Sequence, residues 1–343
     1  MLGTDIAIDL GTAQCKMYRK KKGVVVNEPS IVAVDLLTDR ITAVGQQAYE
    51  QIGRTASHVA VVGPMRRGVV SDFPMAEYMV RSYLRRIRES RLIMPRAVVT
   101  IPCVLTQVEK RSLVDVIRAA GVRKICLIEE AVASAMGAGL DIAQPRGRLV
   151  ANIGAGCTDI AVITLGGISS CYTLRVGGDD FDDEIIKYVR RKYNLVIGKK
   201  TAEQAKIAIG CVYPTEKLLT FRIKGSHARS GLPMWRDLTS DEVLEALLNP
   251  ALKITRTINN VLESVAPDLL SDILEDGITV TGASAKLYGF DRLISRKTHL
   301  PVTVPPSPEL CAVNGAGEAI RYVRDLDNGA YGVINPLHKS YEV

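Results

Sequence analysis

The sequence predicts an α/β protein with two domains of similar fold facing each other across a cleft, and three observations lead there. Apolar runs of strand length alternate with helical patterns along the chain. A strand, glycine turn and strand occur twice, as "AIDLGTAQCKMY" (Ala7–Tyr18) and "LVANIGAGCTDIAVI" (Leu149–Ile163). The two hairpins are offset by a constant 143 residues, which matches Asp9 with Asn152, Gly11 with Gly154 and Gln14 with Cys157.

The elements follow in order. "AVVTIP" (Ala97–Pro102) is a β-branched strand. The helix "TQVEKRSLVDVIRAAG" comes next, with Thr106 and Glu109 placed as a capping box and Gly121 as its stop. "KICLIEE" is a strand whose carboxyl end carries Glu129 and Glu130, where open α/β sheets place ligand chemistry; "AVASAMGAG" is the helix after it. Asp179–Tyr193 begins with acids and ends with bases, as a helix dipole prefers. Thr239 and Glu242 form a second capping box before a long helical region that Pro250 should interrupt. "LPVTVPPSPEL" reads as an extended connector, and "NGAGEAIRYV" opens a terminal helix.

Composition narrows the class. With 343 residues, 47% of them hydrophobic, the chain buries large cores without metal or disulfide staples. Its seven cysteines include no CxxC pair and its four histidines are scattered, which argues against zinc. No signal-peptide pattern follows Met1 and no apolar run has membrane-spanning length, so a cytosolic protein is expected. The net charge of +7 suits a solvated basic surface, an anionic membrane face or nucleic acid. With 5% aromatics and no nucleic-acid-reading motif, nucleic acid is not expected as a partner.

Five short motifs carry chemistry. Small residues at a hairpin tip expose successive N–H groups that cradle phosphate oxygens, so Gly11-Thr12 and Gly154-Ala155-Gly156 form two candidate cradles; a plain tight turn is the alternative for either alone. Asp9 would hold the hydrated Mg2+ that accompanies such phosphates. In "RVGGDDF" a glycine pair opens a helix whose N-terminus would face the nucleotide. In "TAEQAKIAIG", Glu203 and Lys206 share a helix face, for a ligand or as a surface ion pair. In "TVTGASAKLYGF", the small residues from Gly282 to Ala285 let a flat purine lie against the backbone.

Together these motifs resemble the actin, DnaK-type chaperone and sugar-kinase superfamily. Within it the chain resembles MreB-type bacterial actins: "IDLGTA", "GVVVNEPSIVAV", "GPMRRGVVSDF", "LIEEAVASAMGAGL", "RVGGDDFDDEIIKYVRRKYNLVIG" and "TAEQAKIAIG" occur in that family's order. The resemblance implies an actin-like ATPase fold of class α/β, with two lobes, each a mixed sheet flanked by helices, and four subdomains. These would be IA (1–31, 75–143 and 312–343), IB (32–74), IIA (144–180 and 240–311) and IIB (181–239). It implies ATP and Mg2+ as cofactors. Phosphate contacts would come from Thr12, Ala13, Gln14, Gly154, Ala155 and Gly156. Adenosine contacts would come from Glu203, Gln204, Ala205, Lys206, Gly282, Ala283, Ser284 and Ala285, and Glu130 would position the attacking water. It also implies head-to-tail self-assembly on anionic inner-membrane lipid. Wall-elongation proteins such as RodZ and MreC would be partners, with cytoplasmic localisation peripheral to the inner face of the cell membrane. A small-molecule kinase of the same superfamily is the alternative, with Glu129 as its spare carboxylate. A chaperone-type ATPase would need a peptide-binding domain beyond Val343.

Departures from the family pattern cluster at the second hairpin. "NIGAGCT" stands where "DIGGGTT" is usual, so Asn152, Ala155 and Cys157 replace aspartate, glycine and threonine. Gln14, Ala131 and "GASA" depart as well. An amide holds magnesium water without charge, and a thiol is a weak donor where a hydroxyl would stand. Positioned acid–base help is worth roughly 10²–10⁴ in rate, so hydrolysis should be weak while binding through backbone N–H groups and Asp9 persists.

The stretch "VRSYLRRIRESRLIMPR" spaces Arg81, Arg85 and Arg88 along one helix face before the apolar tip Leu92-Ile93-Met94. Such a tip suits insertion into an anionic leaflet, and MreB-type proteins carry a membrane loop at this position; packing under the next strand is the alternative.

Overall fold

The computed structural model describes residues 5–87 and 94–321, together with the backbone of 331–335 and 338–342. The first hairpin pairs Asp5–Leu10 with Gln14–Arg19 inside a seven-stranded sheet. Its order is His338–Glu342, Tyr331–Asn335, Lys124–Glu129, Arg96–Ile101, Asp5–Leu10, Gln14–Arg19, Gly23–Pro29. Every residue of Asp5–Leu10 is buried, as a central strand covered on both faces requires.

The second hairpin repeats this plan in a five-stranded sheet. Its order is Gly167–Leu174, Thr158–Thr164, Arg148–Ile153, Ile278–Thr281, Val302–Thr303. In both sheets the hairpin's leading strand pairs antiparallel with its successor and parallel with a strand from much later in the chain. Asp5–Leu10 takes Arg96–Ile101 as its parallel neighbour, and Arg148–Ile153 takes Ile278–Thr281. The repeat in sequence is therefore a repeat of topology. Two three-stranded sheets, one of Val32–Asp35, Arg40–Val44 and Val59–Val62, the other of Leu195–Val196, Thr220–His227 and Pro233–Thr239, complete the architecture with a short two-stranded pair, Met65–Arg66 and Val69–Val70.

Local signals set the helix starts. Thr106 caps Gln107–Ala119 and Thr239 caps Ser240–Glu263, each within a closed capping box with Glu109 or Glu242. Pro250 does not interrupt the second of these helices, which runs continuously through it. Its ring removes one helical hydrogen bond, a loss of about 3 kcal/mol in isolation. Val243, Leu247, Ala251, Ile254 and Ile258 bury one face of this helix in the core, and that packing holds it together. The terminal helix spans Cys311–Ala319, and the strands Tyr331–Asn335 and His338–Glu342 then rejoin the first sheet, which the sequence pattern had not announced.

One core lies in each lobe, and a third cluster lies on the seam between them. There Ala7, Val98 and Ile128 of the first sheet share a cluster with Val150, Ala161 and Ile163 of the second. The helices Glu130–Gly137 and Cys311–Ala319 cross in this seam through alanines and glycines. A Cβ on Gly315 would sit 1.8 Å from the Ala133 carbonyl oxygen, and one on Gly137 would sit 1.9 Å from that of Cys311. Only bare backbone permits this approach. No described helix is long and apolar enough to cross a membrane.

Candidate functional site

The two hairpin tips face each other across a cleft of about 550 Å³. Each tip closes with the same hydrogen bond: Gly11 N–H donates to the Gln14 carbonyl at 3.1 Å, and Gly154 N–H to that of Cys157 at 2.9 Å. The tips also touch. A Cβ on Gly156 would sit 2.4 Å from Thr12 Oγ1, which itself accepts from Gly68 N–H at 2.9 Å. Thr12, Ala13, Gln14, Gly154, Ala155 and Gly156 all line the cleft.

At the floor, Asp9 is buried. Its Oδ2 accepts from Lys16 Nζ at 3.0 Å and its Oδ1 from Thr100 Oγ1 at 3.1 Å. Lys16 stands opposite Asp9 in the hairpin register, so the strand pairing itself delivers the cation. Burial opposes the charge on Lys16, but the Asp9 carboxylate outweighs it and the ammonium titrates above its ordinary value. Beside this pair, Asn152 Nδ2 donates to Glu130 Oε1 at 2.8 Å. Burial first, then the nearby Asp9 and Asp159 carboxylates, pushes Glu130 up to about 8, against the lowering effect of the Asn152 hydrogen bond. Cys157 is buried too, and desolvation holds its thiol well above the ordinary range, so it is inert.

Several expectations are narrowed. The N-terminus of Gly178–Tyr193 does not offer its first donors to a ligand: Gly178 N–H donates to the Gly154 carbonyl at 3.0 Å and Asp179 N–H to that of Ala155 at 2.9 Å. This helix instead buttresses the second hairpin. Glu203 and Lys206 both line the cleft but do not pair with each other. Lys206 Nζ binds Asp182 Oδ2 and the Gly178 carbonyl, both at 2.8 Å, while Glu203 Oε2 accepts from the Tyr49 hydroxyl at 2.9 Å. Consecutive helical residues cannot share one face, so Gln204 points to solvent and Ala205 into the core. Gly282, Ala283 and Ser284 line the cleft, whereas Ala285 packs into the core. Gly282 sits at φ +87°, with Ile153 O only 2.3 Å from where a Cβ would stand, so glycine is required there. Ser284 Oγ donates to the Gly154 carbonyl at 2.9 Å, which ties this third turn to the second hairpin.

Lys16, Thr100, Tyr49 and Asp182 entered the site without having been singled out. The hairpin alternation contained the signal for Lys16; the others come from distant segments.

The stretch expected to meet the membrane lies only partly within the described residues. Arg81 pairs with Glu77 and donates to the Ala119 carbonyl at 2.7 Å, so it serves the helix packing. Arg85 is exposed, as is Met94, which is 54% accessible. Arg88, Leu92 and Ile93 lie outside the described residues.

Twin mixed sheets, paired glycine hairpins and a polar cleft between them define an actin-like fold. The description MreB/Mbl protein fits residues 3–328, and the chain belongs to that family. It is 39% identical over 337 residues to cell shape-determining protein MreB of Escherichia coli K12, covering 96% of both chains. It is 37% identical over 318 residues to Mbl of Bacillus subtilis 168, covering 92% of this chain and 96% of Mbl. Among solved structures, MreB5 of Spiroplasma citri bound to AMPPNP superposes with a TM-score of 0.90 at 33% identity, over 94% of this chain and 98% of that one. A MamK double helical filament shares the fold, with a TM-score of 0.79 at 20% identity over 94% of this chain and 99% of that one.

Proposed function

We propose that this chain binds ATP with Mg2+ between its lobes, turns it over weakly, and assembles head to tail into filaments on the inner face of the cell membrane. There it organises the wall-building machinery and determines cell shape. The carrying observation is the pair of matching hairpins, with Gly11 and Gly154 in the same hydrogen-bonded turn and Thr12 against Gly156. Two like cradles from two like lobes suit a chain of phosphates, and the close approach at Gly156 leaves room for little else than backbone. The E. coli relative is a cell shape-determining protein, and the Spiroplasma relative binds AMPPNP and ADP, which support the same reading here.

In this reading Lys16 supplies positive charge to the phosphates and Asp9 orients water around the metal. No group of three or more His, Cys, Asp and Glu side chains forms a direct metal cage among the described residues, so Asp9 acts through water. A bound Mg2+ would neutralise phosphate charge. Glu203, Lys206 and Gly282 to Ser284 receive the nucleoside. Glu130 would position water, but its raised titration leaves it a poor proton acceptor near neutrality, and Asn152 and Cys157 supply neither charge nor hydroxyl. The lobes divide into the four subdomains given above, and the loop around Leu92, Ile93 and Met94, with its arginines, meets anionic lipid. RodZ- and MreC-like proteins are the expected partners.

Sedimentation with Mg-ATP and anionic liposomes tests the assembly: the protein should pellet, and a protein that stays in the supernatant would contradict it. Flotation should weaken in Leu92→Ser, Ile93→Ser. Phosphate release should rise by about tenfold or more in Asn152→Asp, Cys157→Thr; an unchanged rate would count against the weak-hydrolysis reading.

A further inference from the structure

The two lobes meet a second time below the cleft, through a pair of thiols. Cys103 leaves the first sheet just beyond Arg96–Ile101, and Cys171 lies in Gly167–Leu174 at the edge of the second. The backbone at Cys103 is held on the second sheet: Cys103 N–H donates to Asp159 Oδ1 at 3.2 Å, and Val104 N–H to Thr173 Oγ1 at 3.0 Å. Asp159 and Thr173 are cross-strand partners, and Ala161 and Cys171 form the next such pair on the same face. Cys171 thus projects from the face that grips the 103–104 backbone. Cys103 and Cys171 pack against the same core cluster there, and each thiol shifts the titration of the other.

Exposure singles out the same pair. Of the seven free cysteines, Cys15, Cys126, Cys157, Cys211 and Cys311 are buried, and only Cys103 and Cys171 are partly open to solvent. The neighbouring Cys103 thiol brings the Cys171 thiol down to about 7 against the opposing effect of burial and of the Asp159 and Glu129 charges, whereas the other thiols titrate above their ordinary value. A partly exposed thiolate beside a second thiol is the arrangement of a peroxide-sensitive dithiol.

We propose that Cys103 and Cys171 are an oxidation site, converted by a peroxide into a disulfide that ties the two lobes together beneath the cleft. The Cys171 thiolate attacks the peroxide O–O bond, giving a sulfenic acid and hydroxide, which takes up the proton the thiol had released and leaves as one water. The Cys103 sulfur then attacks the Cys171 sulfur and displaces hydroxide, which takes up the Cys103 proton and leaves as a second water. Two thiols lose two electrons and the peroxide gains them. In a reducing compartment such a bridge is transient, which makes it a regulator rather than a staple. Resting on the nucleotide reading above, the bridge would restrain lobe opening and slow nucleotide release.

The full chain, purified reduced, is treated with hydrogen peroxide; free thiols are then alkylated and the peptides mapped by mass spectrometry. A peptide pair joining Cys103 to Cys171, an intact mass lower by two hydrogens and reversal by dithiothreitol are expected. Cys103→Ser should instead accumulate a dimedone-trapped sulfenic acid at Cys171. Complete alkylation of both residues after peroxide, or bridges only between molecules, overturns the proposal. Fluorescent ADP should leave the oxidised protein several-fold more slowly than the reduced one, and equal rates refute the restraint. If neither form binds ADP, the nucleotide reading fails while the mapped bridge still stands.

Discussion

Asn152 spans Glu130 and Thr281: its Nδ2 donates to Glu130 Oε1 at 2.8 Å while its Oδ1 accepts from Thr281 Oγ1 at 3.1 Å. An amide offers a donor and an acceptor at once, whereas an ionised carboxylate only accepts. An aspartate would set a second carboxylate against Glu130 and force the pair to share a proton or recruit a cation. The replacement that sets the second hairpin apart from the first is therefore matched to its neighbour.

That neighbour sets a pH dependence. The folded chain holds the Glu130 proton from the ordinary 4.5 up to about 8, a range in which the unfolded chain has released it. The native state binds more protons there, so Glu130 makes stability fall as pH rises through the window. Glu130→Gln keeps an acceptor for Asn152 and removes the titration. Its thermal midpoint should decline less than the parent's between about pH 5 and about pH 8; parallel curves in nucleotide-free protein would refute the assignment.

Lys16→Ala should destabilise the fold. It leaves the buried Asp9 carboxylate with Thr100 as its remaining side-chain donor, and breaking a buried ion pair on one side costs about 3–5 kcal/mol. Urea unfolding at neutral pH measures the loss. Asp9→Asn in the same background should recover part of it, since the orphaned charge is then gone.

Gly315→Val tests the seam. The added side chain collides with the Ala133 carbonyl and drives the two small-residue helices apart. Overpacking of this kind costs about 1–3 kcal/mol, read as a lower urea midpoint. Gly53→Ala, where nothing lies within 4 Å of the added carbon, should lose less; its φ of +72° still adds local strain.

Tyr49→Phe tests the clasp across the cleft mouth. The hydroxyl reaches Glu203 at 2.9 Å, and Lys200 Nζ donates to the Tyr49 carbonyl at 3.3 Å with its charge 4.5 Å from the ring centre. Losing one hydrogen bond of about 0.5–1.5 kcal/mol should speed release of a fluorescent nucleotide by about 2–10-fold. Unaltered release would show that the clasp carries no load.

Short-range rules made much of this protein legible in its sequence. The capping boxes at Thr106 and Thr239 act within one helical turn, and the strand–glycine–strand repeat carried Asp9 and Asn152 to equivalent places in equivalent sheets. From that repeat alone follow two lobes and a cleft lined by both hairpins. Tertiary structure decided the rest. It selected Glu203 and Lys206 but turned Gln204 and Ala205 away, because helix rotation is set by what Ala202, Ala205 and Ile209 bury. It carried the helix through Pro250, gave the first N–H groups of Gly178–Tyr193 to hairpin carbonyls, and brought Thr100 to Asp9 and Tyr49 to Glu203 from 91 and 154 residues away. Local patterns specify backbone conformation over a few residues. Which side chains meet across a cleft depends on the summed burial of whole lobes, and no short stretch of sequence contains that sum.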